Sequence, residues 1–329
     1  MKISVRFDPL IAMRRLAAAM LFSAAMAVSV AGAHAAEPLV TPQWLSEHLA
    51  NTDLVVLDIR SAIDGGGAQA YAAGHIPKSV HSDYDKAGWR VTRSNVPFMV
   101  PTVPELEKLI GDLGIDEDTH VVVVPAGVSV LDFGSAARTY WTLKYAGVKN
   151  VSILDGGVAG WRKAGLPLET GTKAPSPKIF TAMVDKSILA EAADVESLEN
   201  KGGATLIDAR PASFFLGKEK APASKAYGHI PGAFNIDSAE FYDATTNRLK
   251  PKVELAAIAN TAPAGAVVNY CNTGHWASTD WFVFHELLGR KDARLYAGSM
   301  VEWTSNDSRP IESSRTKWDD LKKALGLGS

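Results

Sequence analysis

The chain has 329 residues, of which 47% are hydrophobic and 21% charged, with 34 basic residues, 36 acidic residues and one cysteine. This length predicts about two domains, each large enough to bury its own core. The balanced charge offers no basic surface for nucleic acid. A single cysteine excludes an intramolecular disulfide, a CxxC redox pair and any multi-cysteine zinc or iron–sulfur site.

Residues 1–36 have the pattern of a signal peptide. A basic leader precedes an uncharged apolar run from Leu16 to Val30, and Ala33-His34-Ala35 fits a small-x-small cleavage site. The run is shorter than the roughly 20 residues that span a bilayer. We therefore expect export and cleavage, by the general secretory route rather than the twin-arginine route that Arg14-Arg15 leaves open. The expected product is a monomer in a bacterial periplasm, with no membrane association.

The remainder of the chain contains an internal repeat, which is the strongest pattern in the sequence. Five blocks recur in one order: 54–60 with 204–210, 71–77 with 226–232, 121–124 with 266–270, 135–147 with 277–289, and 154–161 with 296–303. The first pair ends in Asp-x-Arg in both copies, and the fourth pair reads as a helix that ends in glycine. A duplicated domain explains this order.

The repeat also defines the domain boundaries and the fold class. Thr170 to Pro177 has the composition of a stiff linker. We expect the first copy at 37–169, a linker at 170–178 and the second copy at 179–329. Within each copy, short Val/Leu/Ile runs alternate with helical patterns, which predicts an α/β fold with a mostly parallel sheet and helices on both faces. Ligands bind such sheets beyond the carboxyl ends of the strands.

The cysteine lies at such a position. Cys271-Asn272-Thr273-Gly274-His275-Trp276, the Cys loop, joins an apolar strand pattern to a helical pattern from Ala277 to Leu288. A tight loop there turns backbone N–H groups inward, and the helix start adds positive charge, so the thiolate is favoured. Gly274 permits a positive φ. A buried structural cysteine is the alternative, but the position favours a nucleophile.

The repeat and the Cys loop resemble the two-domain rhodanese family of sulfurtransferases over about residues 40–315. The shared motifs are the Asp-x-Arg strand ends, Gly-His-Ile-Pro-Gly-Ala at Gly228 to Ala233, the six-residue Cys loop followed by Ala277, and Gly-Ser-x-x-Glu-Trp at Gly298 to Trp303. The resemblance implies two rhodanese-like domains with the catalytic cleft between them. It also implies that the first copy is non-catalytic, in agreement with the absence of cysteine from Val124 to Ser129.

The resemblance further implies a chemistry for the second copy. Cys271 would take the outer sulfur of a small-molecule donor such as thiosulfate as a persulfide, and would pass it to cyanide or a thiol, without a metal or organic cofactor. The loop residues would bind the substrate: Asn272, Thr273, Gly274, His275, Trp276 and Ala277. Trp276 is expected to close the pocket wall rather than to react.

The donor stays open, because the loop departs from both known specificities. Asn272 and Thr273 are uncharged where thiosulfate-specific members carry basic residues, Phe214 replaces a donor-binding arginine, and the mercaptopyruvate-type loop is not matched either. The remaining cationic candidates are Lys218, Lys220, Lys225 and His275. The lysines are expected to be solvated. His275 either binds an anionic donor or carries a proton, or it packs the loop.

The sequence bears on three alternatives to thiosulfate sulfurtransfer. A Cys-x5-Arg phosphatase is excluded, because the sixth residue after Cys271 is Ala277. A 3-mercaptopyruvate sulfurtransferase and a persulfide carrier that delivers sulfur without turnover both stay open.

Several other residues are expected to be structural. His75 and His229 occur in both copies, the Asp58–Arg60 and Asp208–Arg210 pairs should fix strand ends, and Trp161 and Trp303 should pack under glycine turns. The aromatic side chains that follow the Cys loop are expected in the core: Trp281, Phe282 and Phe284.

Overall fold

The computed structural model describes Met1 and residues 36–316, without the side chains of residues 199–201. Apart from Met1 and Ala36, the predicted signal peptide lies outside these residues. None of the described helices is both long and apolar enough to cross a membrane.

The first copy is built on a five-stranded parallel sheet. Its strands, including a separate antiparallel hairpin β4–β5, are Leu39–Val40 (β1), Leu54–Asp58 (β2), Val80–His81 (β3), Val91–Arg93 (β4), Val96–Met99 (β5), His120–Val124 (β6) and Asn150–Leu154 (β7). Its helices are Pro42–His48 (α1), Ala68–Ala73 (α2), Val103–Asp112 (α3), Val130–Ala146 (α4) and Gly157–Lys163 (α5), with a 3-10 turn at Ala62–Asp64. The sheet order is β1-β7-β6-β2-β3, and Leu57 of β2 pairs with Val123 of β6.

The second copy repeats this topology. Its strands are Leu189–Ala190 (β8), Thr205–Asp208 (β9), Phe234–Asn235 (β10), Tyr242–Asp243 (β11), Arg248–Leu249 (β12), Val267–Tyr270 (β13) and Arg294–Tyr296 (β14). Its helices are Ala192–Lys201 (α6), Ala212–Phe215 (α7), Lys252–Ala259 (α8), Trp276–Trp281 (α9) and Ser299–Trp303 (α10), with 3-10 turns at Lys186–Ile188 and Ser238–Phe241. The order β8-β14-β13-β9-β10 corresponds strand for strand to the first sheet. The duplication and the α/β class are confirmed.

Two helices differ from the sequence prediction. Helix α4 begins at Val130, five residues before the predicted start at Ser135, because the Ser129 side chain caps it and accepts from the Asp132 N–H. The helix predicted from Ala277 to Leu288 is α-helical only to Trp281 and continues as a π-helix over Phe282–Leu287. The wider turn accommodates consecutive buried side chains at 282–284.

The two copies share one apolar core, which fixes their relative position. Helices α4 and α9 pack against each other, and the ring of Phe282 lies 5.0 Å from that of Tyr140 and 6.0 Å from that of Phe133, edge to face in both cases. As expected, Trp281, Phe282 and Phe284 are fully buried. Such aromatic contacts stabilise a fixed interface rather than a mobile one.

The chain between the copies follows the surface of the first domain. The N–H of Lys178 donates to the carbonyl of Gly111 over 2.9 Å, and the N–H of Met183 donates to the carbonyl of Ala146 over 3.0 Å. Residues 178–183 are therefore hydrogen-bonded to the first domain.

Candidate active site

Cys271 lies at the carboxyl end of β13, the middle strand of the second sheet, and is 1% exposed. Its N–H donates to the Oγ of Ser299 over 3.1 Å, and its carbonyl accepts from the N–H of Met300 over 3.1 Å. Ser299 has a φ of +52°, a left-handed conformation that Gly157 adopts in the first copy with a φ of +56°. A serine at this strained position is explained by its hydroxyl, which holds the backbone of Cys271.

The loops that follow the middle strands differ in how their amides are used. In the first copy, the Asp132 carboxylate accepts from the N–H groups of Gly127 (2.5 Å), Val128 (3.3 Å) and Ser129 (2.6 Å). In the Cys loop, none of the described oxygens accepts from the N–H groups of residues 272–277. The first copy therefore holds an internal anion in this loop, whereas the second leaves its amides available for one.

The Asp208–Arg210 pair supports the Cys loop from its own domain. Arg210 is 1% exposed, its Nε and Nη2 bind the Asp208 carboxylate at 2.8 and 2.6 Å, and its Nη1 lies 3.4 Å from the Oδ1 of Asn272. Asp58 and Arg60 form the equivalent buried pair in the first copy. The predicted charge pairs are confirmed, and Asn272 is positioned by one of them.

The first domain also contacts the Cys loop, through Arg138 of α4. The Nη1 of Arg138 donates to the carbonyl of Thr273 over 3.3 Å. Gly274, the next residue, has a φ of +71°, and a Cβ there would collide with Arg138 Nη1 and lie 2.6 Å from the carbonyl oxygen of Ala297. Glycine is thus required at 274 both by its backbone conformation and by the close approach of the guanidinium.

His275 is held neutral, which contradicts the expectation that it binds an anion or carries a proton. Its Nε2 donates to the carbonyl of Leu131 over 2.8 Å, and its Nδ1 therefore accepts from the Tyr84 hydroxyl over 2.9 Å. Burial, together with the nearby Arg90 and Arg138 charges, lowers the pKa of His275 to about 3. The imidazole packs the loop against the first domain, which is the structural alternative.

The mouth of the Cys loop combines aromatic and cationic side chains. Trp276 is half-buried and meets the ring of Phe214 edge to face at 5.9 Å. Arg90 lies over the ring of Tyr84 at 4.2 Å and pairs with the Asp85 carboxylate at 3.0 Å. Ala277 is fully buried in the first turn of α9.

The other candidates lie away from the loop. Lys218 and Lys225 are exposed, and the Nζ of Lys220 binds the carbonyl of Ser224 at 2.7 Å. The Nδ1 atoms of His75 and His229 bond to the carbonyls of Tyr71 and Phe215, which agrees with a structural role. Trp161 and Trp303 are fully buried beside their glycine turns.

Four residues of the site were not found from the sequence: Tyr84, Arg90, Arg138 and Ser299. Three of them belong to the first domain and reach the loop only through the interface. The repeat did contain one signal, since Ser299 aligns with Gly157 and so places a side chain where the first copy has none. Among residues 36–316, no group of three or more metal-ligating side chains could hold an ion.

The geometry matches a known family. The model of the rhodanese-like domain matches residues 41–164 and 191–306, and the chain therefore belongs to the rhodanese family. With two such domains in one chain, it is a tandem rhodanese sulfurtransferase.

Individual relatives align over most of their length. The chain is 34% identical over 284 residues to a Pseudomonas aeruginosa protein named "Probable 3-mercaptopyruvate sulfurtransferase", with 83% of this chain and 97% of that protein covered. It is 31% identical over 280 residues to the thiosulfate sulfurtransferase of Rattus norvegicus, with 80% and 91% covered. A crystal structure of one of the 3-mercaptopyruvate sulfotransferases, from Escherichia coli, superimposes with a TM-score of 0.69 at 29% identity, covering 80% of this chain and 98% of that one.

Proposed function

We propose that the protein moves a sulfane sulfur from thiosulfate to cyanide or a thiol acceptor through a persulfide on Cys271. One observation carries the proposal: the only cysteine of the sequence begins the loop whose amides donate to none of the described protein oxygens, while the equivalent amides of the first copy hold the Asp132 carboxylate. Amides that no described protein oxygen accepts from, together with a helix start, favour a negative charge on the sulfur of Cys271, as thiolate and as persulfide.

The reaction would proceed in two displacements. The Cys271 thiolate attacks the outer sulfur of thiosulfate, the new sulfur–sulfur bond forms, and the old one breaks with its electron pair leaving on sulfite. The persulfide anion on Cys271 then gives its terminal sulfur to cyanide, which leaves as thiocyanate, and the thiolate is restored. Splitting one transfer into two easier steps is the advantage of covalent catalysis. The loop residues from Asn272 to Ala277 would surround the transferred sulfur.

A second donor, 3-mercaptopyruvate, is supported by the name of the Pseudomonas aeruginosa relative. The side chains around Cys271 favour neither donor by charge, because Asn272 and Thr273 are uncharged and Phe214 lies against Trp276. A third possibility is a carrier that loads sulfur once and delivers it to a partner without turnover.

Steady-state formation of thiocyanate from thiosulfate and cyanide tests the proposal. We expect turnover by the wild-type protein and none by Cys271→Ser, because serine supplies no thiolate. Sustained turnover by Cys271→Ser would refute the nucleophile. A stoichiometric burst without turnover would replace the enzyme by the carrier. If kcat/KM with 3-mercaptopyruvate exceeds that with thiosulfate, the donor assignment is wrong and the nucleophile is unaffected.

The same proposal includes export as a soluble monomer to the periplasm, on the basis of the leader pattern in residues 1–36. N-terminal sequencing of the protein from the periplasmic fraction should begin at Ala36 or Glu37. Recovery of a chain that begins at Met1 would contradict cleavage. Light scattering measures the oligomeric state, and a mass larger than that of one chain would contradict the monomer.

A further inference from the structure

Arg138 is a buried cation that the proposed reaction leaves unexplained. It is 0% exposed, in the middle of α4 of the first domain, and its Nη1 bonds to the carbonyl of Thr273 in the Cys loop. The ring of Trp141 lies 5.3 Å from its Cζ. The guanidinium thus crosses the domain interface and ends against the loop that begins with Cys271.

The charge of Arg138 is not compensated by the protein. Among the described residues three arginines are buried, and two of them, Arg60 and Arg210, each pair with a buried aspartate. Arg138 forms no ion pair with a described carboxylate, and its Nε and Nη2 are buried without a hydrogen-bond partner. Burial lowers the pKa of Arg138 to about 10, so the group is still a cation at neutral pH. An unpaired buried charge is costly, and such a group is expected to meet an anion.

The surroundings indicate which anion this is. A negative charge on Tyr84 or on Cys271 would raise the pKa of Arg138, whereas the charge of Arg90 lowers it. Burial raises the pKa of Tyr84, and its hydroxyl donates to the Nδ1 of His275, so Tyr84 is neutral at physiological pH. His275, between these arginines, is held neutral and offers no negative charge. Among the described groups whose charge acts on Arg138, the sulfur of Cys271 is therefore the one that can supply a negative charge.

We propose that Arg138 is the counter-cation of Cys271: the non-catalytic domain supplies the positive charge that offsets the thiolate and, on the proposed function, the persulfide. The Cys loop contains no Lys or Arg of its own. The positive charge that the loop lacks thus reaches it across the interface, from a residue that bonds to the carbonyl of Thr273. Arg138 acts through the charge state of Cys271 and is a positioning residue rather than a catalytic one.

Two substitutions separate the charge of Arg138 from its hydrogen bond. Arg138→Gln keeps an N–H donor for the carbonyl of Thr273 and removes the positive charge. Arg138→Lys keeps the positive charge on a shorter side chain. The readout is the rate at which the full-length protein is alkylated by iodoacetamide at pH 7, because this neutral reagent reacts with the thiolate. It requires no sulfur donor, so it reports on Arg138 even if the proposed sulfur transfer fails.

We expect Arg138→Gln to slow alkylation about tenfold or more, in line with the effect of a nearby opposite charge on an ionisable group. Arg138→Lys should stay within about threefold of wild type. Near-UV circular dichroism shows whether each variant is folded. A salt series on the wild-type protein is a second measurement: because salt screens a buried charge pair only weakly, added salt should slow alkylation only weakly. Wild-type alkylation rates in a folded Arg138→Gln protein would overturn the proposal. So would an equal loss in both variants, which would assign the effect to the hydrogen bond. If Arg138→Gln does not fold, a Lys variant that loses its alkylation rate would also refute the role of charge.

Discussion

Gly274 gives the sharpest test of how the Cys loop is held. Its φ of +71° is nearly equal to the +75° of Gly289, an exposed glycine around which a Cβ would meet nothing within 4 Å. At Gly274, the same Cβ would lie 2.6 Å from the carbonyl of Ala297 and would collide with Arg138. Gly274→Ala and Gly289→Ala therefore carry the same cost for a left-handed backbone, and they differ only in the atoms that the new Cβ would meet.

The expected magnitudes follow from these contacts. The left-handed backbone costs an alanine about 1 kcal/mol at either position. At 274 the backbone oxygen of Ala297 cannot yield cheaply, which adds about 1–2 kcal/mol, and displacement of Arg138 from Thr273 adds about 1 kcal/mol. We expect Gly274→Ala to lower the free energy of unfolding by about 3–4 kcal/mol and Gly289→Ala by about 1 kcal/mol.

Urea unfolding followed by tryptophan fluorescence measures both values in one protein. If the two variants agree to within about 0.5 kcal/mol, the error of such a comparison, then the close approach of Arg138 to the loop is not what makes glycine necessary at 274. Iodoacetamide alkylation of Cys271 on the same samples shows whether the loop has moved, since Gly289→Ala should leave that rate unchanged.

Two further predictions concern His275 and Asp132. The unfolded His275 titrates near pH 6.5 and the folded one near 3, so between these values the unfolded state binds more protons and wild-type stability falls as the pH falls. Between pH 7.5 and 4.5, the free energy of unfolding of the His275→Gln variant should fall by about 2–3 kcal/mol less than that of the wild-type protein. If the free energies of unfolding of the two proteins fall in parallel, His275 is not a buried neutral imidazole. Asp132→Asn should cost about 3 kcal/mol, because an amide replaces a carboxylate that accepts from several buried N–H groups. The exposed Asp112→Asn is its control and should change stability by less than about 0.5 kcal/mol, and an equal effect of the two would show that the carboxylate does not hold the loop.

The repeat made the fold predictable. Blocks in one order placed Cys271 after an apolar strand and paired it with a copy that lacks cysteine, and the structure has both sheets in the same strand order. The ion pair of Asp208 and Arg210 could also be predicted from the sequence, because the two residues are two positions apart at the end of one strand.

Contacts between the domains were not predictable in the same way. Arg138 meets Thr273 across 135 positions of sequence, and nothing in the periodicity of either segment indicates which faces dock. The same is true of Tyr84 and Leu131, whose bonds to the imidazole hold His275 at the interface, where burial keeps it neutral.

The carboxylate in the first loop has a consequence for how the two copies can change. Pro125 occupies the position that Cys271 holds in the second copy, so a single substitution would place a cysteine there. That cysteine would meet amides already bound to Asp132, and the loop would reject a second negative charge beside the first. A reactive cysteine in the first copy would therefore also require the replacement of Asp132, and that replacement alone lowers stability. The division of labour between the copies is therefore difficult to reverse by single steps, and a tandem chain of this design keeps one reactive sulfur.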